Sequence, residues 1–178
     1  LTFFPFREAP HRFLVCRSED RRSLLILGFE SVEDASPNVH AILLGENGNV
    51  RSRKTYKDPS LTQPFIQDEE IEVPLEHFSN APVQLMDTGD WITILTSRTG
   101  QQFALFHFFS GDSGYSVHAI RMPSRSSLED LVLTVSNKRK MAAAGFLSRF
   151  TYRSLKNVQV VQYDILERKM RLDTSYRF

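Results

Sequence analysis

Residues 39–42 read Val-His-Ala-Ile, and the same four residues stand again at 117–120. Two stretches that precede each copy also align without a gap: Phe13-Leu-Val-Cys with Trp91-Ile-Thr-Ile, and Leu24-Leu-Ile-Leu with Gln102-Phe-Ala-Leu. A repeat of roughly 80 residues is too long for one solenoid unit and fits two copies of a small β-rich domain. The sequence therefore predicts a duplication, with a binding surface between the copies.

The boundary between the copies is predicted in a poorly patterned segment, residues 57–80. This segment contains three prolines and the acidic run Asp68-Glu-Glu-Ile-Glu72, and it has room for one short helix or edge strand. We therefore expect a first unit at residues 1–80, with an entry arm and the linker, and a second unit at residues 81–178.

Composition excludes several classes of protein. The 178 residues carry a net charge of +1 and are 41% hydrophobic, which indicates a packed core and gives no electrostatic case for nucleic acid or a membrane as direct partner. Cys16 is the single cysteine, so no intramolecular disulfide can form, and a reducing, intracellular compartment is favoured. Because the first residue is Leu1 and not Met, we expect a piece of a longer protein.

Local patterns predict mostly strands. Asn47-Gly48 lies between two apolar, alternating stretches and is a hairpin signal, because both residues tolerate positive φ. A further hairpin is predicted across the basic turn at residues 136–140. The tail at 154–172 has apolar residues at near-helical spacing, which predicts an amphipathic closing helix, although Val158-Gln-Val-Val could instead form a strand. With the helix, the fold class is α+β.

Gly111-Asp112-Ser113-Gly114 is the tetrapeptide around the nucleophile of chymotrypsin-like serine proteases. A protease also needs a histidine at the end of a strand and an acid, but His40 opens a strand and has an identical counterpart in His118, and no pattern singles out Asp87 or Asp90 as the acid. Glycine, aspartate and serine are also the residues that tight turns favour. We therefore expect a turn and no catalytic residues, and keep a protease using Ser113 as an alternative.

The histidines do not predict a metal site. His40 and His118 occupy matching strand positions, which indicates a repeated packing position, and His107 lies in an aromatic strand where a satisfied, partly buried histidine is expected. No Cys, His or carboxylate partners stand at ligand spacing, and there is no glycine-rich phosphate loop, so no metal or cofactor is expected.

Binding of a protein or peptide partner is the function that the remaining residues favour. Phe13 and Trp91 begin matching strands and are candidate groove residues, because aromatic side chains are enriched at interface hot spots. Lys138, Arg139 and Lys140 form a basic triplet that could contact an acidic partner.

The second copy resembles a polo box, the C-terminal binding module of polo-like kinases. The resemblance rests on the strand Trp91-Ile-Thr-Ile-Leu, the pair Phe108-Phe109, the strand Val117-His-Ala-Ile and the turn Val135-Ser-Asn-Lys-Arg-Lys. The first copy is similar to the first box of the tandem. The resemblance implies two boxes, each a six-stranded antiparallel sheet with a packed helix, that meet along a groove.

The resemblance also has departures. Polo boxes that bind phosphopeptides carry a His-x-Lys pincer after the Phe pair, whereas this turn offers Ser110, Asp112 and Ser113 and no cation. The family resembled most is the divergent polo boxes of kinetoplastid kinetochore kinases. This implies a non-catalytic localisation module, C-terminal in a kinase and nuclear at kinetochores, that binds its partner without the phosphate pincer.

A fragment of a β-propeller interaction scaffold is the main alternative. A shift of one blade length aligns Trp91 with Val132 and Val117 with Val158, and blades are about 40 to 45 residues long. Helix content separates the two interpretations, because boxes contain a helix and blades do not.

Overall fold

The computed structural model describes residues 12–32, 35–57, 64–66, 69–70, 81–96, 102–111, 114–121, 126–150 and 155–177. The regular secondary structure of these residues is entirely β-strand, in three antiparallel sheets of four strands and one pair of short strands. We call the three larger sheets I, II and III in chain order. In each of them the strands follow one another in sequence, so each sheet is a simple meander.

The strands have the following bounds. Sheet I contains β1 (Arg12–Arg17), β2 (Ser23–Val32), β3 (Ala35–Gly45) and β4 (Val50–Lys57). The short pair is β5 (Pro64–Ile66) with β6 (Glu69–Glu70). Sheet II contains β7 (Val83–Leu85), β8 (Trp91–Thr96), β9 (Gln102–Phe108) and β10 (Tyr115–Arg121). Sheet III contains β11 (Ser126–Ser136), β12 (Met141–Phe150), β13 (Lys156–Asp164) and β14 (Lys169–Arg177).

Sheet II is the middle layer of a stack of three. Alternate residues of a strand point to opposite faces, and β8 sends Trp91 and Leu95 into a core shared with sheet I, while Ile92 and Ile94 enter a core shared with sheet III. Strand β9 divides its side chains in the same way. Both faces of sheet II are therefore buried, which explains why its two central strands are almost continuously apolar.

The first strands of the three sheets lie next to one another. Between sheets, the closest backbone approaches join β7 to β1 on one side and to β11 on the other. The thiol of Cys16 in β1 donates a hydrogen bond to the Val83 carbonyl of β7, at 3.4 Å. The stack is thus tightest along its first strands.

Hairpin turns with left-handed residues join the strands at one end of the stack. Five such residues occur in the part of the chain that the structure describes, one in each of five turns at this end: Arg21 (φ 64°), Gly48 (φ 73°), Gly89 (φ 92°), Lys140 (φ 53°) and Arg168 (φ 53°). A turn closed by a left-handed residue matches the twist of the two strands that it joins. We call this end, which carries the turns after β1, β3, β7, β9, β11 and β13, the turn end. The hairpins predicted at Asn47-Gly48 and at residues 136–140 are confirmed.

The predicted α+β class is wrong. The tail expected to be a helix at 154–172 forms β13, a turn and the start of β14, and the sheets contain four strands rather than six. From Lys156 to Asp164, burial alternates with period two, and the valines of this segment are β-branched residues that suit a strand. The near-helical spacing arose from apolar residues contributed by two strands and the turn between them.

The sequence repeat aligns strands that occupy different places in their sheets. Val39-His-Ala-Ile belongs to β3, which is internal in sheet I, whereas Val117-His-Ala-Ile belongs to β10, at the edge of sheet II. The predicted boundary after residue 80 falls between sheets I and II, so the second predicted unit contains two sheets. The division into two domains stays a prediction, and the core between sheets I and II crosses it.

Candidate functional site

Hydrogen bonds join the first turns of all three sheets at the turn end. The Asp20 backbone N–H donates to Asp87 Oδ1 at 3.2 Å, which links sheet I to sheet II. The Asp87 backbone N–H donates in turn to Asn137 Oδ1 of sheet III at 3.0 Å. Asn137 Nδ2 also donates to Glu19 Oε2 at 3.0 Å. The three turns therefore form one continuous surface.

A buried polar chain lies beneath this surface, between sheets II and III. His107 Nε2 lies 3.3 Å from Asp90 Oδ2, His107 Nδ1 lies 3.1 Å from the Tyr163 hydroxyl, and that hydroxyl lies 2.9 Å from Ser116 Oγ. One consistent assignment has Ser116 donating to Tyr163, Tyr163 to His107 Nδ1, and His107 Nε2–H to Asp90. Both ring nitrogens are then satisfied in a neutral imidazole, and the chain fixes sheet III on sheet II.

The environment of Asp90 favours its ionised form. Burial acts to raise the pKa of Asp90, but hydrogen bonds from His107 and Ser110 outweigh it and lower the pKa from 3.8 to about 2. The backbone N–H of Ser110 donates to Asp90 Oδ1 at 2.7 Å. Asp90 thus joins the turn after β9 to the polar chain as a fixed carboxylate.

The polar chain suits structure rather than hydrolysis. His107 is 1% exposed and uses both nitrogens on Asp90 and Tyr163, so no serine hydroxyl lies on its base nitrogen. Burial raises the pKa of Tyr163, which favours the neutral phenol as a hydrogen-bond donor. His107 is confirmed as a buried, hydrogen-bonded histidine.

The other two strand histidines differ from one another. His40 Nδ1 lies 3.0 Å from Thr55 Oγ1 of the next strand. His118 lies against the Tyr163 ring, with ring centroids 4.9 Å apart, and burial lowers its pKa. The shared tetrapeptide therefore places its two histidines in different surroundings.

An exposed basic and apolar cluster lies where sheet III reaches the turn end. The turns at 136–140 and 165–168 are held side by side, because the Ile165 N–H donates to the Lys140 carbonyl at 3.0 Å. Leu166, at the tip of the second turn, is 73% exposed, the largest exposure among the large apolar side chains of the described residues. Within the same described residues, Lys138 and Arg139 form no ion pair. Together with Arg168, these side chains form what we call the Leu166 cluster.

Two cations from other sheets approach the predicted pincer turn after β9. Lys54 Nζ of sheet I donates to the Phe109 carbonyl at 2.8 Å, and the Arg168 guanidinium of sheet III lies 3.8 Å from the centre of the Phe109 ring. The sequence shows no cation within the turn, and both of these come from elsewhere in the chain. Ser110 is held by Asp90, whereas Asp112 and Ser113 lie outside the described residues, so the protease alternative stays a prediction.

The predicted aromatic pair does not line a common groove. Trp91 is 2% exposed and stacks on Phe108, with ring centroids 3.8 Å apart and planes 6° from parallel. Phe13 is 55% exposed and lies on the face of sheet I that points away from sheet II. Trp91 is therefore a core residue, and it cannot serve as a surface anchor in this fold.

Sequence reasoning found the basic triplet but missed its neighbours. Leu166 and Arg168 were placed in a predicted helix, where an exposed turn tip could not be recognised. If Val158-Gln-Val-Val is interpreted as a strand, Ile165-Leu-Glu-Arg becomes a turn that contains an apolar residue. That interpretation would have predicted an exposed leucine at the tip of the turn.

The chain was compared with protein-family models and with curated proteins. No protein-family model matches the chain, and no curated protein matches it. In the part of the chain that the structure describes, no three His, Cys, Asp or Glu side chains could together hold a metal ion. No helix long and apolar enough to cross a membrane occurs in that part either.

Proposed function

We propose that this chain is a protein-interaction scaffold built from three propeller-like blades, and that the Leu166 cluster on its turn end binds an acidic partner segment. The blade assignment is supported by three meanders of four strands, packed face to face and closest along their first strands. Blades of β-propellers are four-stranded sheets arranged around a central channel.

The observation that carries the binding site is the exposure of Leu166 beside cations that form no ion pair with the described residues. An apolar side chain held at the tip of a turn gains free energy when a partner covers it, by about 1.5–3 kcal/mol for full burial of a leucine. Lys138 and Arg139 make no ion pair in the described residues, and exposed cations of this kind attract acidic segments and set the orientation of encounter. A segment with an apolar residue next to carboxylates complements both features.

Hydrogen bonds and a cation–ring contact hold the surface that presents this cluster. Asn137 ties the basic turn to Glu19 and Asp87, and Arg168 is stacked on Phe109. A preorganised surface loses less conformational entropy on binding than a free loop does. Turns positioned by a scaffold of sheets are the usual location of binding residues.

The protein-binding role predicted from the sequence does not depend on a helix, and it is retained in this form. The polo-box resemblance, the parent kinase and the kinetochore location stay predictions of the sequence.

The test uses two synthetic twelve-residue peptides, one with leucines among glutamates and one with lysines in place of the glutamates. Fluorescence anisotropy should show binding of the acidic peptide, weakening with added salt because the contact is ionic. We expect Leu166→Glu and the double variant Lys138→Glu/Arg139→Glu each to weaken this binding about tenfold or more, which corresponds to about 1.4 kcal/mol.

Arg177→Glu at the end of β14 is the matched control and should leave the acidic peptide bound as before. Equal binding of the two peptides, binding of neither, or indifference to the Leu166 and Lys138 changes would contradict the proposal.

A further inference from the structure

The outer faces of sheets I and III carry most of the exposed apolar side chains. Eight large apolar side chains are exposed in the described part of the chain. Six of them point outward from these two sheets: Phe13, Val15, Val50, Val132, Leu172 and Tyr176. The stack therefore ends in apolar faces on both sides.

The outer face of sheet III, which we call face III, is apolar in the middle. Its central residues are Ala143, Gly145, Val158 and Val160, with Val132 at one edge, 59% exposed, and Tyr176 at the other, 56% exposed. Ion pairs stand at both ends of the strands, Arg149 with Glu129 at 2.6 Å and Arg171 with Asp164 at 2.8 Å. An apolar patch bounded by polar residues is typical of a protein contact.

Gly145 indicates that another polypeptide chain packs closely on face III. A Cβ added at this glycine would meet no atom within 4 Å, and its φ is not in the left-handed region, so the fold itself does not require glycine here. Glycine inside a strand costs roughly 0.5–1 kcal/mol relative to alanine. Such glycines often mark the close approach of another chain.

The outer face of sheet I, which we call face I, is also apolar. It presents Val15, 61% exposed, and Val50, 45% exposed, around the half-buried Leu24, Ile26 and Leu44. Val15 and Val50 are larger than Ala143 and Gly145 of β12, and face III carries branched side chains beside these two, at Leu147, Val158 and Val160. Large side chains on one sheet facing small ones on the next is the packing that fills a sheet–sheet interface.

We propose that face III of one copy packs on face I of a second copy, so that two chains close a ring of sheets. This rests on the proposed function, because it treats the sheets as propeller-like blades. Propellers contain typically 4–8 blades, and two copies of three sheets give six. A head-to-tail contact forms a closed ring when the rotation between copies fits, and an open filament when it does not.

Charge disfavours contact between two copies of face I. Arg17 and Arg53 point outward there, whereas face III carries both signs, because Arg149 and Lys156 are paired with Glu129 and Asp130 lies beside Leu147. Two copies of face I would bring their cations together, whereas face I against face III sets these cations against a surface that also contains acids.

The area of the faces suits a specific contact. Four strands of 9–11 residues, spaced about 4.8 Å apart and rising about 3.3 Å per residue, give a face roughly 15–20 Å by 30 Å. A ring of two chains contains two such contacts, which brings the total into the range of a standard interface.

Sedimentation velocity and light scattering on the 178-residue chain test the inference. The mass expected is twice 20.5 kDa and independent of concentration above the dissociation range. Val132→Lys on face III and Val15→Lys on face I should each give monomers, and mixing these two variants should restore a heterodimer through the one contact that both faces still permit. Gly145→Val, whose Cβ meets no atom of the chain within 4 Å, should raise thermal stability of the monomer and also prevent the dimer.

Leu166→Glu is the control that separates this inference from the proposed function. It should weaken acidic-peptide binding about tenfold or more and leave the dimer intact, while Val132→Lys should do the reverse. A monomeric wild type, a dimer insensitive to Val15→Lys, or growth into filaments with concentration would each overturn the inference.

Discussion

Sheets II and III have the same topology and differ in how many of their faces are covered. In sheet II, neighbouring residues of β8 such as Ile94 and Leu95 are both 1% exposed, because one enters each core. In sheet III, burial along β12 alternates, so that Phe146 is buried and Leu147 on the other face is only half-buried. The strands of a meander in the middle layer therefore have a continuous apolar sequence, whereas those of the same meander in an end layer alternate between apolar and polar residues.

The largest expected effect separates the two faces of sheet III. Phe146 is fully buried and packs edge-to-face on Phe103 of sheet II, with ring centroids 5.1 Å apart. Phe146→Ala should reduce the free energy of unfolding by about 3–5 kcal/mol, whereas Leu147→Ala should cost less than about half as much. Urea denaturation measures both.

Sheet II provides the matched pair. Ile94→Ala and Leu95→Ala should destabilise the protein by similar amounts, roughly 2–5 kcal/mol each. A difference between them as large as that between Phe146→Ala and Leu147→Ala would mean that sheet II is covered on one face only.

The next effect concerns the polar chain that joins the two sheets. Because the pKa of Asp90 is lowered from 3.8 to about 2 in the folded state, its contribution is full above pH 3.8 and is lost as the pH falls through about 2. Asp90→Asn should therefore reduce the free energy of unfolding by about 1–2 kcal/mol at pH 6, and the difference from wild type should shrink towards pH 2.

Denaturation curves of wild type and variant at several pH values measure this difference. A gap that stays constant from pH 6 to pH 2 would show that the ionisation of Asp90 is not coupled to folding.

A smaller effect is expected at the turn end, where Asn137 joins sheet III to sheets I and II. Asn137→Ala removes the bonds to Asp87 and Glu19 and should cost about 0.5–1.5 kcal/mol. Lys138→Ala, one residue along the same turn, should change thermal stability little. Equal effects of the two substitutions would contradict the link between the sheets.

The smallest effect is a gain of stability. Lys140 adopts a φ of 53° in the turn that enters β12, a region that glycine reaches without steric cost. Lys140→Gly should raise the free energy of unfolding by up to about 1 kcal/mol, whereas Lys138→Gly should not raise it. Urea denaturation measures the free energy of unfolding of both variants. A loss of stability in Lys140→Gly would contradict the turn geometry.

Local sequence patterns predicted many of the strands but not the way in which the three sheets stack. The hairpins at Asn47-Gly48 and at 136–140 were predictable because turn chemistry and the flanking strands are close in sequence. The tail at 154–172 was misread because two strands and a turn produced near-helical spacing over a short window. Period two in Val158-Gln-Val-Val was the correct signal, and it became decisive only through burial of the alternate residues.

The candidate site was only partly predictable for a related reason. Lys138, Arg139 and Lys140 are visible as a run, but Leu166 and Arg168 reach them through pairing of β12 with β13, which no local pattern encodes. Trp91 was ambiguous for the opposite reason, since a lone tryptophan at the start of a strand suits a groove or a core equally. Its stacking on Phe108 decides for the core.

Both proposals depend on contact between the first strands of sheets I and II, and the single native cysteine allows a direct measurement of that contact. Cys16 of β1 lies against Val83 of β7, so Val83→Cys should form a disulfide with it under mild oxidation, seen as loss of both free thiols in the monomer by mass spectrometry. Leu155→Cys, at the far end of sheet III, should keep both thiols. A folded Val83→Cys protein that retains two free thiols would contradict the stacked arrangement.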